Sequence, residues 1–225
     1  MTGSWIIAID GAAGSGKSTL ARGLAGSLGL PYVNTGIMYR ALTLAAIEGG
    51  VDTEDGVALA QLMSTLRFGL SSGLSSGGLR ELEVEGSPPS EALQGAQVEA
   101  EVSRVARHPQ VRTLMRDAQR AIGSPGAVVE GRDIGTVVFP DANVKLYLQA
   151  APDTRVERRA EQRGGASDDL GIAEALHRRD ANDATVNPFE PAPGAVIVDT
   201  SELSVEDTLR IALEIVHEQM PGAFA

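Results

Sequence analysis

Gly11-Ala12-Ala13-Gly14-Ser15-Gly16-Lys17-Ser18 matches the phosphate-binding loop G-x-x-x-x-G-K-[ST] at every defined position. Such a loop wraps backbone N–H groups around a polyphosphate, so side chains must stay out of the way. Gly11, Gly14 and Gly16 carry no Cβ, and Ala12 and Ala13 are small. Lys17 has the reach for β- and γ-phosphates, and the Ser18 hydroxyl suits a place on Mg²⁺. Upstream, Trp5-Ile6-Ile7-Ala8-Ile9 is a short apolar run suited to a buried strand. Downstream, Leu20, Ala21, Leu24, Ala25 and Leu28 recur at helical spacing, which predicts a helix over Lys17–Leu28. A strand, the loop and a helix in that order place phosphates at a helix N-terminus, where the dipole favours anions.

The same alternation continues along the chain. Apolar runs at Tyr32–Val33, Ala127–Glu130, Val144–Leu148 and Ala195–Val198 read as further strands. Helical patterns cover Ile37–Glu48, Val57–Leu66, Ala96–Arg107, Gln110–Ile122, Thr154–Arg163, Gly171–Arg179 and Val205–Glu218. Continuous apolar strands separated by helices predict an α/β fold with a parallel sheet covered by helices on both faces. Ligands of such sheets bind beyond the strands' carboxyl ends. There the loop, Thr35-Gly36 and Gly131-Arg132-Asp133 follow successive strands. Two stretches break the pattern. Phe68–Gly95 is rich in Gly and Ser with an alternating piece at Leu79–Glu85, which predicts a small inserted hairpin or three-stranded unit. Gly164–Pro193 is polar with a Pro/Gly-rich end and reads as a mobile flap.

The chain has 225 residues, no cysteine and no apolar run of membrane-spanning length. Its N-terminus lacks a basic leader, and a soluble cytoplasmic protein is expected. The net charge of −11 argues against a nucleic-acid polymer as partner. Among 19 basic residues lysine occurs only at Lys17 and Lys145, and the rest are arginine, whose planar fork grips phosphate in bidentate fashion.

Several polar groups are candidates for the chemistry. Thr35 reads as a helix N-cap, with Tyr39 and Arg40 one turn further on; together they suit an anion or sugar-base pocket. Arg132 and Asp133, between glycines after an apolar strand, are poorly placed for core packing and well placed for a ligand. Arg155, Arg159 and Arg163 share a helix face at i, i+4, i+8, with Arg158 beside them. Like charges so spaced repel, and an anion between them removes the cost. Arg178, Arg179, Asp180 and Asp183 form a second charged cluster. Ser103 and Arg112 are unremarkable alone. A phosphate monoester is largely dianionic at pH 7 and attacks without a general base; it needs cations and alignment. An alcohol acceptor calls instead for a carboxylate base, for which Asp133 and Asp10 are placed.

These motifs resemble the bacterial cytidylate kinases over nearly the whole length. The match runs through Ile9-Asp10-Gly11 and the loop, Thr35-Gly36 with Met38-Tyr39-Arg40, Pro109 with Val111-Arg112, and Glu130-Gly131-Arg132-Asp133-Ile134-Gly135-Thr136-Val137-Val138-Phe139-Pro140. Arg178-Arg179-Asp180 with Asp183, and Val196-Ile197-Val198-Asp199-Thr200, follow in order. The resemblance implies a P-loop kinase core (1–35, 104–150, 194–225), an inserted monophosphate-binding lobe (36–103, with its small β insert at about 68–95) and an arginine-bearing lid (about 151–193). It implies transfer of the ATP γ-phosphoryl group to CMP or dCMP. ATP and Mg²⁺ fall to Gly11, Ala12, Ala13, Gly14, Ser15, Gly16, Lys17, Ser18 and Thr19, with Ser18 on the metal. Lys17, Arg132, Arg155 and Arg159 are the implied catalytic cations. Thr35, Tyr39, Ser103, Arg112, Arg132 and Asp133 surround the monophosphate; Ser103, Arg112 and Asp133 recognise cytosine, Asp183 contacts the sugar, and Arg40 and Arg179 complete the set. A monomer with ATP, CMP and dCMP as its partners, and no membrane, is expected.

The chain departs from the family where Asp183 is followed by Ala184-Thr185-Val186-Asn187-Pro188-Phe189, without the arginine that elsewhere helps hold the sugar. Gln94 stands where arginine is common, and Ala12 where proline is. A kinase of UMP, AMP or a small alcohol is the alternative. A GTP-binding switch needs Asn-Lys-x-Asp, which is absent, and Asp168-Asp169-Leu170-Gly171 follows no apolar strand.

Overall fold

A computed structural model of the chain describes residues 4–75, 77–162, 169–186 and 190–224. Arg163, Asp168 and Asn187-Pro188-Phe189, singled out above, lie outside the described residues, as does the side chain of Arg179. Five strands form one sheet, β1 (Ile6–Gly11), β2 (Tyr32–Asn34), β5 (Ala127–Glu130), β6 (Val144–Gln149) and β7 (Val196–Asp199), in the order β2-β5-β1-β6-β7. Among the described residues eight α-helices accompany them: α1 (Lys17–Leu28), α2 (Thr35–Glu48), α3 (Gly56–Met63), α4 (Ala96–Ala106), α5 (Pro109–Gly123), α6 (Pro152–Gln162), α7 (Asp169–Ala184) and α8 (Val205–Gln219). The remaining strands, β3 (Phe68–Leu70) and β4 (Leu82–Val84), form the small antiparallel hairpin expected of the Gly/Ser-rich insert.

The chain divides into two compact units, residues 1–6 with 25–129 and residues 7–24 with 130–225. In the first, α2, α3, α4 and α5 bury Met38, Leu42, Leu59, Val98 and Met115 completely or nearly so. Each such side chain contributes about 1.5–3 kcal/mol of burial. In the second, Ile7, Ile9, Leu146 and Leu148 fill the sheet interior. Here β1 pairs in parallel with β6, from Ile7 opposite Val144 to Gly11 opposite Leu148. In turn β6 pairs with β7, ending with Gln149 opposite Asp199. This register brings the carboxyl ends of three strands level. The phosphate loop, the start of α6 and Thr200 therefore leave the sheet side by side. Helix coverage thins at the sheet edge, where Ile197 on β7 is 52% exposed.

Local expectations were corrected at two places. The N-cap of α2 is Asn34, whose side chain accepts from Ile37 N; Thr35 is the first helical residue and is buried. The helix starting at Gly56 is capped by the Asp55 side chain and ends at Met63 rather than Leu66. The helix expected at Gly171–Arg179 is present as part of the 16-residue α7. Ile172 and Leu176, four apart in an otherwise polar segment, supply its apolar stripe and pack on Ala13 of the phosphate loop.

Candidate active site

The loop is built by backbone choices that only small residues permit. Gly11, Gly14 and Gly16 all have positive φ. At Gly11 (φ +146) a Cβ would lie 2.1 Å from the Leu148 carbonyl oxygen of the neighbouring strand. At Gly14 (φ +77) it would press on the α6 backbone, 3.0 Å from Arg155 Cβ and 3.1 Å from the Arg155 carbonyl. The loop is thus closed on one side by β6 and on another by α6. Its last residues enter α1, whose N-terminal dipole end favours an anion.

Three consecutive loop carbonyls each hold one cation. Gly11 O accepts from Arg132 Nη1 at 3.0 Å, Ala12 O from Lys17 Nζ at 2.6 Å, and Ala13 O from Arg155 Nη1 at 3.1 Å. These are three of the four cations the sequence marks as catalytic. Two of them are also ion-paired with α7: Arg132 Nε with Asp183 at 3.0 Å, and Arg155 Nη1 with Asp180 at 2.6 Å. Asp180 and Asp183 lie three apart and so share a helix face. The charged cluster on α7 is therefore the counter-charge of the loop's arginines.

The fourth cation proposed from sequence, Arg159, is half-buried on α6. Its neighbour Arg158 is linked to the loop by a chain of bonds. Arg158 Nη1 donates to Thr200 Oγ1 at 2.9 Å and Nη2 to the Thr200 carbonyl at 2.6 Å. Thr200, 2% exposed, in turn reaches the Ser15 carbonyl through Oγ1 at 3.1 Å. Helical spacing puts Arg159 on the face of Arg155 and leaves the choice between Arg159 and Arg158 open. The signal lay in the threonine that follows the last strand, at the level of the loop.

Asp10, at the end of β1, is 5% exposed. Its two carboxylate oxygens accept from Ile134 N at 2.8 Å and Gly135 N at 2.7 Å. These amides open a single π turn, Ile134–Val138, that Asp133 precedes. Such turns recur at functional sites. Both oxygens of Asp10 are committed to the turn, which argues against its use as a base for an alcohol. The Asp10 carboxyl is pushed up to about 6, chiefly by burial; the two amides and the Lys17 ammonium oppose the rise and Asp133 adds to it. The folded state thus holds this proton more tightly than the unfolded chain between about pH 4 and 6. Stability from this group falls as pH rises through that window, by about 3 kcal/mol in all, roughly half of it between pH 5 and 7.5. Asp10→Asn removes the titration. We expect its melting temperature, relative to wild type, to climb by about 3–5 °C from pH 5 to 7.5. A difference that stays flat with pH would contradict the assignment.

The other candidates lie in the first unit. Thr35 is buried at the start of α2, Tyr39 is half-buried one turn on, and Ser103 and Arg112 are half-buried on α4 and α5. Arg40 is engaged within this unit: Nη1 donates to the Leu93 carbonyl at 3.0 Å and Nη2 pairs with Glu99 at 2.5 Å. It ties α2 to α4 and to the turn that ends the insert.

Among the described residues no group of three or more acidic, His or Cys side chains could cage a metal. Ser18, exposed at the head of α1, offers one oxygen. That suits Mg²⁺, which keeps several waters and takes its other ligands from substrate phosphates. No helix among the described residues is long and apolar enough to cross a membrane.

The family model described as cytidylate kinase matches residues 7–218. The cytidylate kinase of Rhodococcus opacus (strain B4) is 41% identical over 225 residues, 97% of each chain. That of Nocardia farcinica is 41% identical over 223 residues, 96% of this chain and 94% of the relative. That of Pelotomaculum thermopropionicum is 43% identical over 211 residues, 91% and 92%. With a family model over nearly the whole chain and relatives about 40% identical along it, the chain belongs to the cytidylate kinase family.

Proposed function

We propose that the chain moves the γ-phosphoryl group of ATP directly onto the phosphate of CMP or dCMP, forming ADP and the diphosphate. The observation that carries the reading is the placement of Lys17, Arg132 and Arg155 on three adjacent carbonyls of one phosphate loop. The family match supplies the acceptor.

Charge dictates the division of labour. A phosphoryl group in flight spreads negative charge over its oxygens, and its acceptor is already dianionic at neutral pH. The protein must therefore supply positive charge and hold two anions in line; no proton need be removed. Lys17 takes the β- and γ-phosphates, and the loop amides from Gly11 to Thr19 take the rest of the triphosphate. Arg132, Arg155 and Arg159 stabilise the transferring group. Ser18 would hold Mg²⁺, which when bound neutralises part of the phosphate charge. Thr35, Tyr39, Arg40, Ser103, Arg112, Arg132, Asp133, Arg179 and Asp183 form the acceptor-recognition set carried over from the family resemblance. The lobe boundaries stated above, a cytoplasmic location and a monomeric state belong to the same proposal.

The test is ADP formation from ATP with CMP, dCMP, UMP, AMP or small alcohols as acceptor. We expect CMP or dCMP to stimulate turnover at least tenfold more than the other nucleotides, since a site built to hydrogen-bond one base leaves its polar groups unpaired with another. Stimulation by an alcohol and by no monophosphate would overturn the reading.

A further inference from the structure

On the loop-facing side of α7, Asp180 makes a contact that no assigned role requires. Its Oδ2 accepts from Arg155 Nη1 at 2.6 Å, and the same Nη1 donates to Ala13 O at 3.1 Å. One amino group of the guanidinium is thereby fully used, both hydrogens committed. The three hydrogens on Nε and Nη2 find no acceptor among the described residues. Nε and Nη2 together form the edge with which arginine grips phosphate in bidentate fashion. The arginine is buried, with its side chain 10% exposed, and its Cβ lies against Gly14. Its swing is accordingly restricted, and the head group is pinned at one corner over the loop.

A simple structural ion pair accounts poorly for this geometry. Such a pair would engage both carboxylate oxygens, because a buried acceptor left without a donor is costly. Asp180 Oδ1 is buried and has no partner among the described residues. The carboxylate grips a single corner of the guanidinium and leaves its fork open.

We propose that Asp180 is a positioning residue for phosphoryl transfer: it pins Nη1 of Arg155 to the phosphate loop, so that the Nε/Nη2 edge is held ready for the nucleotide's phosphates. The proposal rests on the reading of Arg155 as a transfer-site cation. Asp180 touches no reacting atom; it acts through Arg155.

A double-mutant cycle on the full chain tests it, with kcat, both KM values and melting temperature measured for Arg155→Ala, Asp180→Ala, Asp180→Asn and the Arg155→Ala/Asp180→Ala pair. Arg155→Ala is expected to lower kcat about 100-fold or more. Asp180→Ala should lower kcat roughly 10- to 100-fold with the KM for CMP within about threefold of wild type, because an unpinned arginine still supplies charge but not alignment. Asp180→Asn keeps an acceptor of the same shape and should retain more activity than Asp180→Ala. In the Arg155→Ala background, Asp180→Ala should change kcat by no more than about twofold. Multiplicative losses in the double variant would overturn the proposal, as would unaltered kcat in both Asp180 variants. If Asp180→Ala does not fold, the comparison rests on Asp180→Asn, whose kcat must fall without a matching loss of melting temperature. Wild-type kcat in Arg155→Ala would instead remove the reading of Arg155 itself. A fall there with none in the Asp180 variants would remove only the present inference.

Discussion

Replacing Lys17 by alanine is expected to lower kcat about a thousandfold, the scale on which removal of one positioned donor to developing transition-state charge is felt. The structure makes the loss specific. Lys17 is 6% exposed, begins α1 and has its ammonium 2.6 Å from Ala12 O, so it is fixed within the loop it serves. Few alternative rotamers must be given up when phosphates arrive, which is what makes a cation worth more in a site than in water. Neighbouring arginines cannot replace it, because Arg132 and Arg155 are held on different carbonyls by Asp183 and Asp180. Removing the ammonium also takes away a charge that pulls down the Asp10 carboxyl. The variant should therefore show Asp10 titrating at higher pH than in wild type, a signature independent of turnover. A thousandfold loss with near-native melting is the expected pair of readouts. Near-normal kcat would take the loop out of the chemistry.

The second large effect is on stability. Gly11→Ala must place a methyl group 2.1 Å from Leu148 O, in a backbone conformation at φ +146 that L side chains rarely adopt. Gly11 is the last residue of β1 and sits opposite Leu148 in the β1–β6 ladder, so neither backbone can yield without parting the strands. Overpacking costs about 1–3 kcal/mol and a strained φ about 1–3 more. Together they predict a loss of roughly 2–6 kcal/mol, or about 10 °C in melting temperature for a chain of this size. Thermal unfolding of the purified variant checks this. A shift under about 2 °C would mean that the close approach is not present in solution.

The core of the fold was legible because its signals are local. Apolar runs at Ala127–Glu130 and Val144–Leu148 and the periodicity of Lys17–Leu28 coincide with β5, β6 and α1 to within a residue. The loop was legible because its glycines obey a steric rule that any phosphate cradle shares. Other features depend on the partner a side chain finds in three dimensions. Asn34 rather than Thr35 caps α2, since either residue type can cap and only the path of the chain decides. The helical pattern at Gly171–Arg179 lies inside α7, but what its stripe of Ile172 and Leu176 packs on, Ala13 of the loop, is set only in three dimensions. Helical spacing puts Arg159 on the face of Arg155 but leaves the choice between it and Arg158 open, because the bonds of Arg158 to Thr200, beyond the last strand, join residues far apart in sequence. The pairings of Arg132 with Asp183 and of Arg155 with Asp180 join residues far apart in sequence, and no local pattern announces them.

The central claim is that this chain holds two nucleotides at once, a triphosphate on the loop and a monophosphate acceptor beside it. Titration calorimetry on the purified chain with a non-hydrolysable ATP analogue, then with CMP on the analogue-saturated protein, tests it most directly. The account predicts one molar equivalent of each, with CMP still binding when the analogue site is full. A single equivalent in total, with either nucleotide displacing the other, would contradict it.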